Sequence, residues 1–166
     1  MIYLEEPGGR TISNPSIDYE SFEHWRKKMN GLEWKRAHPL SDGFAIRKVE
    51  QLLGKDLPAE FCECILQFNE ARPNKKLFRT IDGEEHVFCN LISFNEDKDT
   101  NVFSTLRILR SNGLSDKLFP FGEDPFGNYL CLFFNENDVT VVFWNHETNQ
   151  IEKVSNSFLE FLNELY

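Results

Sequence analysis

The chain has 166 residues, 40% hydrophobic and 14% aromatic, enough to bury roughly 70% of its unfolded surface around a single core without staples. Its net charge of −9 repels phosphate backbones and anionic lipid, which excludes nucleic acid and membrane surfaces as expected partners and favours a basic one. The longest purely apolar runs, about four to six residues, fall far short of the roughly 18 to 20 that a bilayer-crossing helix needs.

The charge is uneven. Residues 1–43 hold six Lys/Arg against seven Asp/Glu, and residues 44–166 hold twelve against twenty, so the acidity belongs to the second part. Residues 1–43 are punctuated by Pro7, Gly8, Gly9, Pro15, Gly31, Pro39 and Gly43. They read as an N-terminal extension with one helix, about Ile17 to Met29, whose Phe22, Trp25 and Met29 share a face that docks on the main domain. "MIYLEEPGG" has no basic region followed by an apolar one, and Cys62, Cys64, Cys89 and Cys131 lie inside apolar runs. Both features predict a reducing, cytoplasmic setting.

From Phe44 the periodicity is firm. Ile46, Val49, Leu52 and Leu53 form a helical stripe stopped by Gly54, and Pro58 opens a second helix that buries Phe61, Ile65 and Phe68. After Pro73 the period falls to two. "KLFRTI", the turn Asp82-Gly83 and "EHVFCNLISF" predict a tight hairpin. A helix over about Asn101 to Asn112 ends at Gly113. Strands follow at Lys117 to Phe121, Gly127 to Phe134 and Val139 to Trp144. In "NYLCLFF" both alternating sets are apolar, which predicts a strand covered on both faces and central in its sheet. A final helix carries Phe158, Phe161, Leu162 and Leu165, with Ser157 and Glu160 as a capping box and Ser155 as the alternative cap. This order predicts one α+β domain over 44–166: a largely antiparallel mixed sheet with helices packed against it.

Few segments carry chemistry. Gly122 and Gly127 have phosphate-loop spacing, but Asn128 and Tyr129 stand where Lys and Ser or Thr are required, and Glu123 and Asp124 would repel a phosphate. The segment reads instead as a turn whose carboxylates stand in water, so that reversing them should leave folding almost untouched. "DKDTN" begins like a calcium loop, yet Val102 and Ile108 replace the required Gly and Glu. His86 with Cys89, and Cys62 with Cys64, point to opposite faces of their elements and cannot share an ion. Cys131 has no basic neighbour to activate it, which makes it a buried structural thiol rather than the nucleophile of a His146 pair. No cofactor is expected. In "VVFWNHETN" an aromatic and two ionisable residues end a strand and enter a polar turn.

In order, "VEQLLGKDLPAEF", "LFPFGEDPFGNYLCLFF", "VVFWNHE" and "VSNSFLEFL" resemble the motifs of the SUKH superfamily, Smi/Knr type, over about Phe44 to Tyr166. Glu50, Leu57, Pro58, Gly122, Glu123, Asp124, Gly127, Asn128 and Trp144 match its recurrent positions. The extension and "QFNEARPNKKLFR", which lacks an Asn-Gly-Gly often found there, depart from the pattern. The resemblance implies an α+β fold without catalytic residues, most bacterial members being immunity proteins that neutralise toxins. The expectation is a non-enzymatic cytoplasmic protein, monomer or weak homodimer, that occludes the basic active-site face of a toxin, a nuclease domain above all. The candidate surface is Glu96, Asp97, Asp99, Glu123, Asp124, Trp144, His146 and Glu147. A scaffold or regulatory adaptor of the Smi/Knr type is the alternative.

Overall fold

The computed structural model describes residues 23–24 and 27–166. Residues 23–24 and 27–28 are helical. The predicted contacts of Phe22 and Trp25 lie outside the described residues, whereas Met29 is fully buried.

The two helices after residue 43 form where the apolar stripes lie. Helix α1 spans Phe44–Leu53 and stops at Gly54, whose left-handed φ of 63° lets Lys55 N reach back to Glu50 O. The Glu50 carboxylate also accepts from Leu57 N at 2.9 Å, which fixes the link to helix α2, Ala59–Phe68. Helix α3, Val102–Ser111, starts with a reciprocal cap between Asn101 and Ser104. Helix α4, Phe158–Glu164, is capped by Ser157, but Glu160 turns its carboxylate onto Asn156 instead of closing the predicted box on Ser157.

The strands are β1 (Trp34–Lys35), β2 (Arg72–Pro73), β3 (Leu77–Arg79), β4 (Glu85–Val87), β5 (Asn90–Leu91), β6 (Leu118–Glu123), β7 (Tyr129–Phe134), β8 (Val139–Trp144) and β9 (Ile151–Ser155). They pair antiparallel throughout, as a β1-β2 ribbon, a β3-β4 hairpin and a five-stranded sheet in the order β5-β6-β7-β8-β9. The predicted central strand β7 is central. The predicted long strand "EHVFCNLISF" divides: β4 belongs to the hairpin and β5 to the main sheet, with the buried Phe88 between them. The hairpin turn is also wider than the two-residue form, because only Gly83 takes a positive φ and Thr80 bonds to Glu84 across the loop.

The core is a web of phenylalanines. Phe61 of α2 meets Phe119 and Phe121 of β6, Phe94, and Phe158 of α4, with ring centroids 4.9–6.2 Å apart and the four rings tilted or edge-on. Phe121 extends the web to Phe88 and Phe161. The extension joins this core: Leu32 is buried with Met29, β1 pairs with β2, and Trp34 stacks on Phe68 at 5.6 Å. No helix among the described residues is long and apolar enough to cross a membrane.

Candidate functional site

Sheet topology decides which candidate residues meet. Strand β6 runs from Leu118 to Glu123 and turns through Asp124–Asn128 into β7, whose first residue Tyr129 pairs with Trp144, the last of β8. The β6-β7 and β8-β9 turns therefore share one end of the sheet, bringing Glu123, Asp124, His146 and Glu147 together. Strand β5 runs the opposite way to β6, with Asn90 beside Glu123, Ile92 N bonded to Phe121 O, and Phe94 against Phe119 at 6.2 Å. By Glu96 the chain has reached the other end. Glu96, Asp97 and Asp99 are thus a separate group, and the eight residues do not form one face.

That second group is partly engaged. Glu96 is bonded to Lys48 of α1 at 2.6 and 2.7 Å, while Asp97 and Asp99 are exposed. Glu96 and Asp97 line a cleft of about 520 Å³ with His38, Asp42, Phe44 and Asn69.

At the first end the acidic turn is built from inside. Asp124 Oδ1 accepts from Phe126 N and Asn128 N, both at 2.8 Å, and its Oδ2 accepts from Asn128 Nδ2 at 2.9 Å. Glu123 accepts from Asn90 Nδ2 at 3.1 Å. The carboxylates expected to stand free in water are therefore half-buried structural acceptors, because a chain that reverses within five residues must satisfy its inward-pointing N–H groups locally. Asn128, buried, turns its Oδ1 to the neighbouring turn, accepting from His146 N at 3.1 Å and from His146 Nδ1 at 2.8 Å. That contact requires the imidazole proton on Nδ1. Gly127, at φ 85°, packs so close that a Cβ would lie 3.4 Å from His146 Cε1. The two turns are one clamped unit.

Trp144 supports this unit from beneath. It is 4% exposed and donates from Nε1 to Asn149 Oδ1 at 2.7 Å, so it offers a partner no ring face. The group presented instead is Phe126, 75% exposed at the tip of the β6-β7 turn. Its placement between Pro125 and Gly127 was the available sequence signal: a large apolar residue between two turn formers has no strand face to hide in. Glu147 and His146 are exposed beside it.

Cys131 is fully buried, and burial pushes its thiol well above the ordinary range, opposite to what a nucleophile needs. Cys64 is raised for the same reason. Cys89, half-buried, is raised by desolvation first and then by the charges of Asp124 and Glu123.

A model of the protein family described as SUKH_6, SMI1-KNR4 cell-wall, matches residues 45–162. No curated protein gives a significant match to the chain.

Proposed function

Since the chain belongs to the SUKH, or SMI1-KNR4, family, we propose that it is a non-enzymatic immunity protein, which binds and neutralises a toxin domain with a basic active-site face, a nuclease in the first instance. The observation that carries this reading is the clamped turn unit. Phe126 stands exposed on a backbone fixed by Asp124 and Asn128, with the free carboxylate of Glu147 on the adjoining turn. A rigid aromatic beside negative charge suits such a partner: the charge speeds encounter and the ring slows release without a large ordering cost. The net charge of −9 adds long-range attraction of the same sign.

The test is co-expression with the toxin encoded in the adjoining reading frame, followed by binding measurements on the purified pair. Phe126→Ala should weaken binding by about 2 kcal/mol or more, roughly 30-fold in Kd, mainly through dissociation. Glu147→Lys should slow association, more so at low salt. Asp97→Lys with Asp99→Lys, at the opposite end of the sheet, should leave dissociation unchanged. Loss of binding in that double variant with none in Phe126→Ala would move the interface to the Glu96 cleft.

A further inference from the structure

We propose that Glu84, His86 and Glu152 form a site for one divalent transition-metal cation, zinc being the ion whose chemistry they fit best. The fold assembles them from two elements. His86 lies in β4 and Glu84 immediately before that strand, and their side chains approach each other on one side of the hairpin. Glu152 lies on β9 opposite Phe143. The hairpin is held against β9 by Ile81 N donating to Lys153 O at 2.9 Å, and the His86 ring is fixed by stacking on Phe143 with centroids 4.1 Å apart.

His86 Nε2 is 3.6 Å from Glu152 Oε2 and 3.8 Å from Glu84 Oε2, and the three ligand atoms all lie within 4.8 Å of one another. Those separations are too long for hydrogen bonds. They match ligands that share an ion: atoms about 2.0 to 2.2 Å from one zinc at tetrahedral angles sit roughly 3.4 Å apart.

A second observation is independent of the spacing. His86 Nε2 and Glu152 Oε2 are both shut off from solvent and have no hydrogen-bond partner among the described residues, a condition rare enough in folded proteins to require a cause. Among the described residues no lysine or arginine forms an ion pair with Glu84 or Glu152. The two carboxylates converging on the imidazole offer a dication two anionic ligands. One imidazole with two carboxylates fits zinc better than calcium or magnesium, which prefer oxygen alone. The half-open side, where the Glu84 side chain is 67% exposed, admits the ion and leaves its fourth position to water. Bound there, the ion would pin the hairpin to the sheet edge.

The experiment titrates the chelator-stripped full chain with zinc chloride by calorimetry, and in parallel with cobalt, whose visible absorption reports ligand type. One equivalent of zinc should bind, raising the melting temperature, and cobalt should give a spectrum of nitrogen and oxygen ligands without thiolate charge transfer. Glu152→Gln should weaken binding on the order of 100-fold. Glu84→Gln, at an exposed side chain that cannot disturb folding, should weaken it at least tenfold. Failure of the wild-type chain to bind zinc would overturn the proposal. Equal binding by both variants, or a thiolate signature, would overturn it by placing the metal elsewhere.

Discussion

Replacing Asp124 by alanine should destabilise the fold, not merely alter its surface. The side chain accepts three hydrogen bonds, from Phe126 N, Asn128 N and Asn128 Nδ2. Bonds to a charged acceptor are worth about 1.5 to 3 kcal/mol each when shielded. Asp124 is only half-buried, so solvent screening and compensation by water bring the total to about 2 to 3 kcal/mol. Part of that cost passes through Asn128, which loses the partner of its amide while its Oδ1 still holds the His146 turn. In a domain of this size 1 kcal/mol moves the melting temperature by about 2 to 4 °C, so Asp124→Ala should melt about 4 to 12 °C lower. Glu123→Gln, with one contact at 3.1 Å, should stay within about 1 kcal/mol of wild type. Circular-dichroism melts of both variants provide the measurement. If Asp124→Ala melts within a degree of wild type, the turn does not depend on its carboxylate and the clamped unit has been misjudged.

Gly122→Ala should cost about 1 to 3 kcal/mol in urea unfolding, because an added Cβ would lie 2.6 Å from Cε2 of the fully buried Phe88 ring; unchanged stability would mean that the ring moves aside freely. A chain beginning at Phe44 should lose about 4 to 6 kcal/mol, since it gives up the buried Met29 and Leu32 and the stacking of Trp34 on Phe68. A thermal melt matching the full chain would refute the docking of residues 29–35. Stability should also fall above pH 9: burial raises the native pKa of Cys64 and Cys131 above the ordinary 9.0, so the unfolded chain releases protons that the folded one keeps. The loss is absent below pH 9 and grows by about 1.4 kcal/mol per pH unit per thiol beyond it. Urea unfolding at pH 8 and 10 should show that Cys64→Ala with Cys131→Ala loses about 3 kcal/mol less between the two than wild type does.

What the sequence disclosed follows the range of the interactions involved. Helices α1 to α4 and strands β6 to β8 were legible because their apolar periods and caps lie within a few residues: Gly54 at φ 63° and Gly113 at φ 94° stand where the punctuation put them. Strand β9 was not, since "IEKVS" carries two charges in five residues and buries only Val154 and Ser155 at its end, which leaves no alternating apolar face to read. Ribbon β1-β2 has only two residues per strand and exists through pairing across the chain. The division of β4 from β5 at Phe88 was equally hidden, because an unbroken apolar run carries no mark of a change of sheet. The same limit governs the candidate surface. Glu123 and His146 share one end of the sheet only through the β6-β7 and β7-β8 registers, whereas Glu96 is carried away by the direction of β5 relative to β6. Glu84 and Glu152 are brought together by a hairpin crossing that no local pattern encodes.

The residues that carry the family resemblance are those that hold the scaffold, and this separates fold from recognition. Glu50 ties α1 to the linker through Leu57 N, Leu57 is buried, Gly122 makes room for Phe88, Asp124 and Asn128 knit the turns, and Trp144 lies beneath them. Their chemistry is spent inward, so substituting them would alter binding only by loosening what they support. Phe126 and Glu147, the groups left pointing outward at that end, lie within the motif segments but are not among those recurrent positions. A scaffold of this kind can keep its signature while the tip residue and the neighbouring charge change with the partner, since exposed positions usually contribute within about 0.5 kcal/mol to stability. Replacing Phe126 should therefore leave melting unchanged while weakening the complex. Replacing Asp124 should impair both, with the loss of binding following the loss of fold.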